Sequence, residues 1–323
     1  MNEAQSTLSF SLIVLNWNGQ PYLDKCLDSL VAQDYLHVEI IVVDNNSMDD
    51  SPRIVKSCYP TIRLIENQEN LGFAGGMNVG LRIAQGDVLA LLNNDVILRP
   101  DWTAAIAAAM SADPRLGIAG GKLLYPDEKT LQHAGGYFHN PPIAMPDHYG
   151  YRQLDTGQYQ ARREVDFVTG AAMAFRRMVV DEIGGLDDNF TFYYEETDFE
   201  FRARRAGWKV VYIPEAVGIH LESISTVRDS FNFFRHFHRS RLRFILKNYG
   251  RQKFLRESYP AEVDWLKRIE LPQELSALRQ AYLDALLSLT DIPDLTSGSN
   301  WDWQEYRGVM TAIQQLRQIV LDK

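Results

Sequence analysis

Short apolar runs alternate with segments of helical periodicity along the first part of the chain. The runs at residues 9–15, 39–43, 62–65 and 87–92 have strand character, and the segments at 22–31, 49–58 and 75–84 have helix character. Strands that alternate with helices indicate a parallel sheet covered by helices on both faces. We therefore predict an α/β fold with a mostly parallel sheet flanked by helices.

The middle of the chain is less regular. We predict a helix from Pro100, strands at 116–124 and 165–176, helices at 178–183 and 196–206, and a further strand from Val210. Residues 126–164 are interrupted by Gly and Pro, and we interpret them as an irregular loop. A loop of that length in a compact domain is usually functional or mobile.

The composition changes after Ser225. Residues 228–256 hold nine Lys and Arg but a single acidic residue, Asp229, and phenylalanines are interleaved with them. Apolar residues at helical spacing then predict two amphipathic helices, near 275–289 and 306–320, with a linker at 291–300. We predict a main domain at 1–228 and a helical extension at 229–323.

Bulk composition excludes several protein classes. The chain has 323 residues, 46% hydrophobic and 23% charged, which is ordinary for a globular protein. A net charge of −9 argues against nucleic-acid binding. The polar amino terminus has no basic region typical of a signal peptide, and no apolar run reaches the ~18 residues of a membrane span. Cys26 and Cys58 form no CxxC pair and are interpreted as structural thiols. We predict a cytoplasmic protein.

Three of the predicted strands end in Asn and Asp. Asn16, Asp44 and the run Asn93-Asn94-Asp95 occupy these positions. Ligands of α/β sheets bind at the carboxyl ends of the strands, so these groups are expected to converge on one crevice. The alternative is that Asn and Asp simply favour turns.

Asp95 is the best candidate for a metal ligand in this part of the chain. A divalent metal, held by one or two carboxylates and by phosphate oxygens, commonly neutralises a diphosphate leaving group. His220 follows a predicted strand and could add a nitrogen ligand, although a lone His is more often only hydrogen-bonded.

A second acidic cluster, at residues 195–198, opens a predicted helix. Acidic residues are favoured at that end of any helix by its dipole. One of the adjacent carboxylates Glu195 and Glu196 could instead act as a general base. Arg202 lies four residues after Asp198 and is expected to pair with it, which leaves Glu196 for the chemistry.

The glycine pattern argues against a dinucleotide-binding site. The turn after the first strand contains only Gly19 where GxGxxG would be required, and no GxxxxGK[ST] loop occurs. Glycines at residues 72–76 follow the third strand. They either allow the backbone to approach a phosphate or merely end the strand.

Taken together, these segments resemble the family 2 glycosyltransferases of the GT-A fold, most closely the rhamnosyltransferase-like members that build bacterial surface polysaccharides. The resemblance covers about residues 8–248. The matching segments are residues 11–19, 41–47, 70–80, 91–96, 169–177, 184–187 and 194–198. Each is weak alone, and their order and spacing carry the resemblance.

The resemblance implies a role for each matching position. Residues implied to bind the nucleotide are Leu15, Asn16, Trp17, Asp44, Asn78, Asn93 and Asn94. Asp95 falls on the last residue of the family's DxD triplet and would bind Mg²⁺ or Mn²⁺, with His220 as a further ligand. Glu196 falls on the catalytic base, and residues implied near the acceptor are Gly170, Glu195, Asp198 and Arg202. Two positions depart from the family pattern, since Asn93 replaces the first acid of the triplet and Glu196 replaces Asp.

The resemblance also implies a reaction. It is inverting transfer of a single sugar from a TDP- or UDP-sugar to a glycan or lipid-linked acceptor, because the QxxRW signature of processive synthases is absent. A non-catalytic nucleotide-binding relative and a sugar-nucleotide pyrophosphorylase are the alternatives. Residues 231–247 could contact anionic lipid at the inner face of the plasma membrane or an acceptor's pyrophosphate, or form a helix packed on the domain. The two tail helices could cap the domain or form a homodimer.

Overall fold

The computed structural model of the protein describes residues 7–221, 229–293 and 303–323. These residues form two compact units. The first contains residues 7–137, 148–188 and 195–221, and the second contains residues 138–147, 189–194, 229–293 and 303–323. The predicted domain boundary after residue 228 falls beside the segment 222–228, which lies outside the described residues, as does most of the predicted linker at 291–300. The boundary therefore stays a prediction.

The first unit begins with the predicted alternation of strand and helix. Its elements are β1 (Phe10–Asn16), α1 (Leu23–Val31), β2 (Val38–Asp44), α2 (Ser51–Cys58), β3 (Arg63–Glu66), α3 (Gly72–Ile83), β4 (Val88–Asn93), β5 (Val96–Leu98) and α4 (Trp102–Ala112). Leu12, Ile13 and Val14 on β1 have no exposed surface. Consecutive buried residues on a strand show that both faces of the sheet are covered, as expected of a parallel sheet flanked by helices.

The remaining elements of the first unit follow in chain order. They are β6 (Leu116–Leu124), β7 (Leu131–His133), β8 (Gly136–Asn140), β9 (Met145–His148), β10 (Arg163–Glu164), β11 (Ala172–Arg176), α5 (Arg177–Ile183), α6 (Glu195–Arg205) and β12 (Lys209–His220). Strands β8 and β9 form a separate two-stranded sheet, whereas the other strands that follow α4 join the main sheet. The tip of the β8–β9 hairpin, Phe138–Asp147, clusters with the second unit.

The strand order of the main sheet is β10-β12-β6-β11-β4-β1-β2-β3, with β5 paired to β12 and β7 paired to β6. Strands β4, β1, β2 and β3 are parallel neighbours, and β6 is parallel to β12. Strand β11 is antiparallel to both β4 and β6. The predicted α/β sheet with flanking helices is confirmed, and periodicity gave no sign of the antiparallel strand because it reports burial rather than strand direction.

Two predictions for the middle of the chain were wrong. Residues 126–164 are not an irregular loop, because four short strands, β7 to β10, and a turn of 3₁₀ helix lie within them. These strands have two to five residues, too few for a periodic pattern to emerge from the sequence. The predicted strand at 165–176 begins only at Ala172, and the residues before it are irregular.

The second unit is helical. Its helices are α7 (Phe231–Phe244), α8 (Arg251–Lys253), α9 (Tyr259–Leu266), α10 (Pro272–Leu287) and α11 (Trp303–Leu321), and π-helical turns at Ile245–Tyr249 and Phe254–Ser258 flank α8. Helix α10 packs against both α7 and α11. The apolar positions Val309, Ile313 and Leu316 of α11 have no exposed surface. The apolar face of this tail helix is therefore covered within the unit.

Much of the positive charge of residues 229–256 is paired inside the second unit. Arg241 has no exposed surface, and its guanidinium donates to Glu262 Oε2 at 2.7 Å. Tyr282 donates its hydroxyl to the same carboxylate at 2.6 Å. Arg235 pairs with Asp284 at 3.0 Å. The basic and aromatic segment is thus a helix whose charges help to hold the unit together.

No helix in the described parts of the chain combines the length and apolar character needed to cross a lipid bilayer. Cys26 is buried in α1, and Cys58 is exposed. Neither takes part in a disulfide.

Candidate active site

The polar ends of β1, β2 and β4 meet at one edge of the sheet. Asn16 lies opposite Asp44 in the register of β1 and β2, and Leu15 lies opposite Asn93 in that of β1 and β4. Asn16 Nδ2 donates to Asp44 Oδ1 at 2.7 Å, and Asn94 Nδ2 donates to Asn16 Oδ1 at 3.0 Å. The three strand-end clusters that the sequence singled out therefore converge on one hydrogen-bonded network.

Asp44 is held firmly within this network. Its residue exposure is 2%, and its carboxylate accepts the hydroxyl of Ser47 at 2.6 Å and the backbone N–H of Ser47 at 2.9 Å. Ser51, at the start of α2, accepts a further hydrogen bond from Asn16 at 2.8 Å. Trp17, the next residue after β1, is by contrast 49% exposed. A fixed acceptor beside an exposed aromatic ring is a suitable arrangement for binding a planar base.

The glycines at 72–76 open helix α3 rather than end a strand. Gly72 has φ of +71°, a left-handed conformation that favours glycine, and its carbonyl accepts a hydrogen bond from Asn45 Nδ2 at 2.9 Å. A Cβ on Gly76 would come within 2.4 Å of Leu15 Cδ1. The small residues therefore let the start of α3 approach the ends of β1 and β2.

Asn78 lies farther along α3 and joins it to the turn before residue 187. Its Oδ1 accepts the backbone N–H of Leu186 at 3.0 Å, and its Nδ2 donates to the Leu186 carbonyl at 2.9 Å. Both ends of the amide are thus engaged with the backbone. The nucleotide-binding role implied for Asn78 stays a prediction.

Asp95 and His220 come together although 125 residues separate them in the chain. His220 Nε2 lies 3.2 Å from Asp95 Oδ1, because the end of β12 pairs with β5 and places His220 opposite Val96. The other ring nitrogen, Nδ1, lies 2.7 Å from Gln132 Oε1. The hydrogen bond to Gln132 fixes the orientation of the imidazole ring.

The pair is chemically suited to Mg²⁺ or Mn²⁺. A carboxylate oxygen and an imidazole nitrogen at this separation could bind one ion that takes its other ligands from a diphosphate. No cluster of three or more His, Cys, Asp or Glu side chains that could bind a metal occurs among residues 7–221, 229–293 and 303–323.

The acidic cluster at the start of α6 contains two adjacent carboxyl groups, Glu195 and Glu196, with different surroundings. Glu195 is 3% exposed, and its burial and the neighbouring Glu196 charge raise its pKa well above the usual value. Burial also raises the pKa of Glu196, while hydrogen bonds from the backbone N–H of Gly170 and from Glu195 oppose that rise. Glu196 is partly exposed, and the hydrogen bonds from Gly170 and Glu195 favour its charged form.

Asp198 and Arg202 form the predicted pair on α6. Arg202 Nε donates to Asp198 Oδ2 at 2.8 Å, and Asp198 has no exposed surface. The two terminal nitrogens of Arg202 donate to the carbonyls of Ile183 and Gly185, each at 2.7 Å. Arg202 therefore ties α6 to the end of α5 and leaves Glu196 outside this ion pair.

Sequence reasoning missed two residues that contact this site. Gln132 orients His220, and no signal identified it because it lies in the segment interpreted as a loop. Glu200 is fully buried on α6, four residues after Glu196. The i, i+4 spacing of Glu196 and Glu200 was visible in the sequence and could have indicated that they lie on one face of the helix.

Comparison with known protein families gives a match over this same unit. The model of Glycosyl transferase family 2 matches residues 11–184, which is more than half of the chain. An N-acetylglucosaminyl-diphospho-decaprenol L-rhamnosyltransferase of Mycobacterium tuberculosis is 27% identical over 262 residues, covering 72% of this chain and 83% of that protein. The O-antigen biosynthesis protein RfbC of Myxococcus xanthus is 29% identical, over 68% of this chain but 18% of that protein.

Solved structures with the same fold are glycosyltransferases. GalNAc-T7 with UDP, GalNAc and Mn²⁺ has a TM-score of 0.62 at 15% identity, over 90% of this chain and 56% of that one. A mannosyltransferase from Pyrobaculum calidifontis with GDP-Man and Mn²⁺ has a TM-score of 0.54 at 17% identity, over 98% and 86%. TarS of S. aureus with UDP-GlcNAc has a TM-score of 0.56 at 16% identity, over 98% and 91%. The comparison shows the GT-A fold.

Proposed function

Because the chain belongs to glycosyl transferase family 2, we propose that it transfers a single sugar, with inversion, from a nucleoside-diphosphate donor to a glycan or lipid-linked acceptor. The observation that carries this proposal is the meeting of Asp95 and His220 beside the strand-end network, 3.2 Å apart. A carboxylate and an imidazole at the carboxyl edge of an α/β sheet form a site suited to a metal-bound diphosphate.

The donor's nucleoside would bind at the network formed by the ends of β1 and β2. Asp44 would accept a hydrogen bond from the base, since its position is fixed by Asn16 and Ser47. Trp17 and Leu15 would contact the face of the base, and Asn93 or Asn94 would contact the ribose. Fixed polar groups lose little entropy when a ligand binds, which favours affinity.

Asp95 and His220 would hold Mg²⁺ or Mn²⁺, and Gln132 would keep His220 in the orientation that directs Nε2 toward the ion. When bound, the ion neutralises charge on the departing diphosphate. Asn93 stands where the family has an acidic residue, so the site carries one negative charge fewer. The site should therefore repel the diphosphate less and bind the free ion more weakly.

Glu196 would act as the general base. It would accept the proton of the acceptor hydroxyl as that oxygen bonds to the anomeric carbon, while the bond from this carbon to the diphosphate oxygen breaks. Displacement from the face opposite the leaving group inverts the configuration. Glu195 would donate a hydrogen bond to Glu196 and so favour its charged form before the proton arrives.

The family relatives narrow the substrates that we propose. The M. tuberculosis relative is by its name a rhamnosyltransferase that acts on a lipid diphosphate. We therefore favour a TDP-sugar such as TDP-rhamnose, with UDP-sugars as the alternatives, and an acceptor joined to a lipid diphosphate in surface polysaccharide synthesis. Such an acceptor would bring the protein to the inner face of the plasma membrane.

A transfer assay tests the proposal. Purified protein is incubated with TDP- and UDP-sugars, a lipid-linked diphosphate glycan and Mn²⁺, and the new glycosidic bond is examined by NMR. The proposal expects one product whose anomeric configuration is opposite to that of the donor. Retained configuration would contradict the inverting mechanism, and nucleotide binding with neither transfer nor donor hydrolysis would favour a non-catalytic relative.

A further inference from the structure

Glu200 is a buried carboxyl group for which the mechanism above has no use. It lies on α6 one turn after Glu196 and has no exposed surface. Its Oε1 accepts the backbone N–H of Val168 at 2.6 Å, and its Oε2 has no hydrogen-bond partner in the described parts of the chain. Burial raises the pKa of Glu200 well above its usual value, which favours the neutral carboxylic acid over the carboxylate.

The backbone that Glu200 contacts leads directly to the proposed base. Two residues after Val168, the N–H of Gly170 donates to the Glu196 carboxylate. A Cβ placed on Gly170 would lie 3.5 Å from Glu196 Cδ, so this backbone is already in close contact with the carboxyl group. Residues 168–170 are therefore bonded to α6 at two positions, one turn of helix apart.

The same segment continues to the strand end that carries the proposed metal ligand. The carbonyl of Ala171 accepts the N–H of Asn93 at 3.0 Å, and Asn93 is two residues before Asp95. Residues 168–171, which we call the bridging segment, thus connect the base on α6 to the end of β4. A shift of about one ångström in this segment would carry the Gly170 bond beyond hydrogen-bond distance.

We propose that Glu200 is a positioning residue that anchors the bridging segment to α6 and thereby holds Glu196 in register with the end of β4. This inference rests on the proposed function, since it takes Glu196 as the base. Anchoring requires an acceptor at Oε1 and no charge. A second negative charge one turn from Glu196 would oppose the ionised form of the base.

Hydrogen exchange tests the anchoring without any substrate. Glu200→Gln retains an acceptor for Val168 and a neutral side chain, whereas Glu200→Leu removes the acceptor. Peptides that cover residues 168–171 should exchange about tenfold faster or more in the Leu variant, because a segment with fewer hydrogen bonds opens more readily. In the Gln variant, their exchange rates should stay within about twofold of wild type. Leu27→Ala, which creates a cavity in the core beside α1, is the control for a general loss of stability. In this variant, the exchange rate of the peptides that cover residues 168–171 should change no more than that of the rest of the chain.

Equal protection of the bridging segment in wild type and Glu200→Leu would overturn the proposal. Faster exchange throughout the chain in the Leu variant, matched by Leu27→Ala, would also overturn it, because Glu200 would then be a residue of the core alone.

Steady-state kinetics tests the consequence for the reaction. Glu200→Leu should lower kcat by about tenfold or more, because small misplacements of a catalytic group slow the reaction strongly. The KM for the donor should stay within about twofold of wild type. Glu200→Gln should restore kcat. Glu196→Gln is measured beside it. Inactive Glu196→Gln together with fully active Glu200→Leu would overturn the positioning role and leave the proposed function intact. Active Glu196→Gln would instead contradict the assignment of the base, and the exchange experiment would still decide whether Glu200 anchors the segment.

Discussion

Glu196 differs from the other acids of α6 because it alone combines partial exposure with a neighbour that can hydrogen-bond to its charged form. Burial raises its pKa, and the N–H of Gly170 and the carboxyl of Glu195 limit that rise. A base whose pKa lies closer to the working pH accepts a proton in the transition state more effectively. The Glu-for-Asp departure at this position keeps the chemistry and lengthens the side chain by one methylene.

The substitution Glu196→Gln tests whether the Glu196 carboxylate accepts the proton of the acceptor. The amide has nearly the same shape but cannot accept the acceptor's proton, so kcat should fall by about a hundredfold or more. The affinity for nucleotide should change little, because the base contacts the acceptor rather than the nucleoside. Calorimetry and initial rates measure the two quantities. An equal loss of nucleotide affinity would show that Glu196 belongs to the donor site instead.

The raised pKa of Glu200 predicts how the stability of the Glu200→Gln variant should depend on pH. The pKa of Glu200 is raised in the folded state above its usual value of 4.5, so the unfolded chain releases this proton at lower pH than the folded chain does. The stability that the carboxyl contributes is complete below the unfolded pKa and is lost as pH rises toward the folded pKa. The Gln side chain does not titrate, so the stability of the Gln variant should not fall in this way as pH rises.

The melting temperature of Glu200→Gln should therefore match wild type near pH 4 and exceed it increasingly from about pH 5 to pH 8. Thermal unfolding followed by circular dichroism at several pH values measures the difference. A constant difference between the variant and wild type across that range would show that Glu200 is ionised in the folded protein.

At the scale of single elements, α6 is held in place by Arg202. Its guanidinium neutralises the fully buried Asp198 and satisfies two carbonyls at the end of α5. The residues before the helix, Tyr193 and Tyr194, have φ of +67° and +69°, which side-chain-bearing residues rarely adopt. Strained backbone of this kind persists only where the surroundings enforce it.

Arg202→Met should lower the free energy of unfolding by about 3 kcal/mol, because it removes the positive charge that pairs with the buried Asp198 carboxylate. Arg204 is the matched control on the same helix. Its pair with Asp166 has side chains 30% and 37% exposed, so Arg204→Met should cost less than about 1 kcal/mol. Urea denaturation measures both changes. Similar values for the two variants would contradict the structural role assigned to the Asp198–Arg202 pair.

The helices and strands that the sequence predicted best are long and buried against neighbouring elements. Helices α3, α5 and α6 and strands β1 to β4 lie within a few residues of their predicted positions, because burial on both faces of the sheet leaves continuous apolar runs. Strands β7 to β10 were missed because each has only two to five residues, too few for a periodic pattern. Gln132 was missed because its significance depends on contact with His220, 88 residues away in the chain.

In the second unit, three arginines of the basic segment pair with acidic residues of the same unit. Arg241 pairs with Glu262, Arg235 pairs with Asp284, and Arg251 pairs with Glu305 at 3.2 Å. The aromatic residues Phe192 and Phe231 are 37% and 38% exposed. Any contact of this unit with a membrane would therefore rest on aromatic side chains at the interface more than on attraction to anionic lipid.

Vesicle sedimentation distinguishes these two kinds of contact. The protein should sediment with neutral and with anionic vesicles to the same extent within about twofold, and added salt should not change the result, because screening acts on charge attraction only. Much stronger binding to anionic vesicles, reversed by salt, would show that the basic segment remains available to lipid despite its internal pairs.

We propose that the edge of the sheet that carries Asn16, Asp44 and Asp95 is a metal-dependent site for a nucleoside diphosphate. Calorimetric titration with UDP and with TDP, each with and without Mn²⁺, tests it most directly, using Asp95→Ala as the site variant. Asp87→Asn, at the opposite end of β4, serves as the control. We expect one nucleotide to bind about tenfold more tightly or better with Mn²⁺, and we expect Asp95→Ala alone to remove this gain. Binding of neither nucleotide, or equal affinity with and without Mn²⁺, would contradict it.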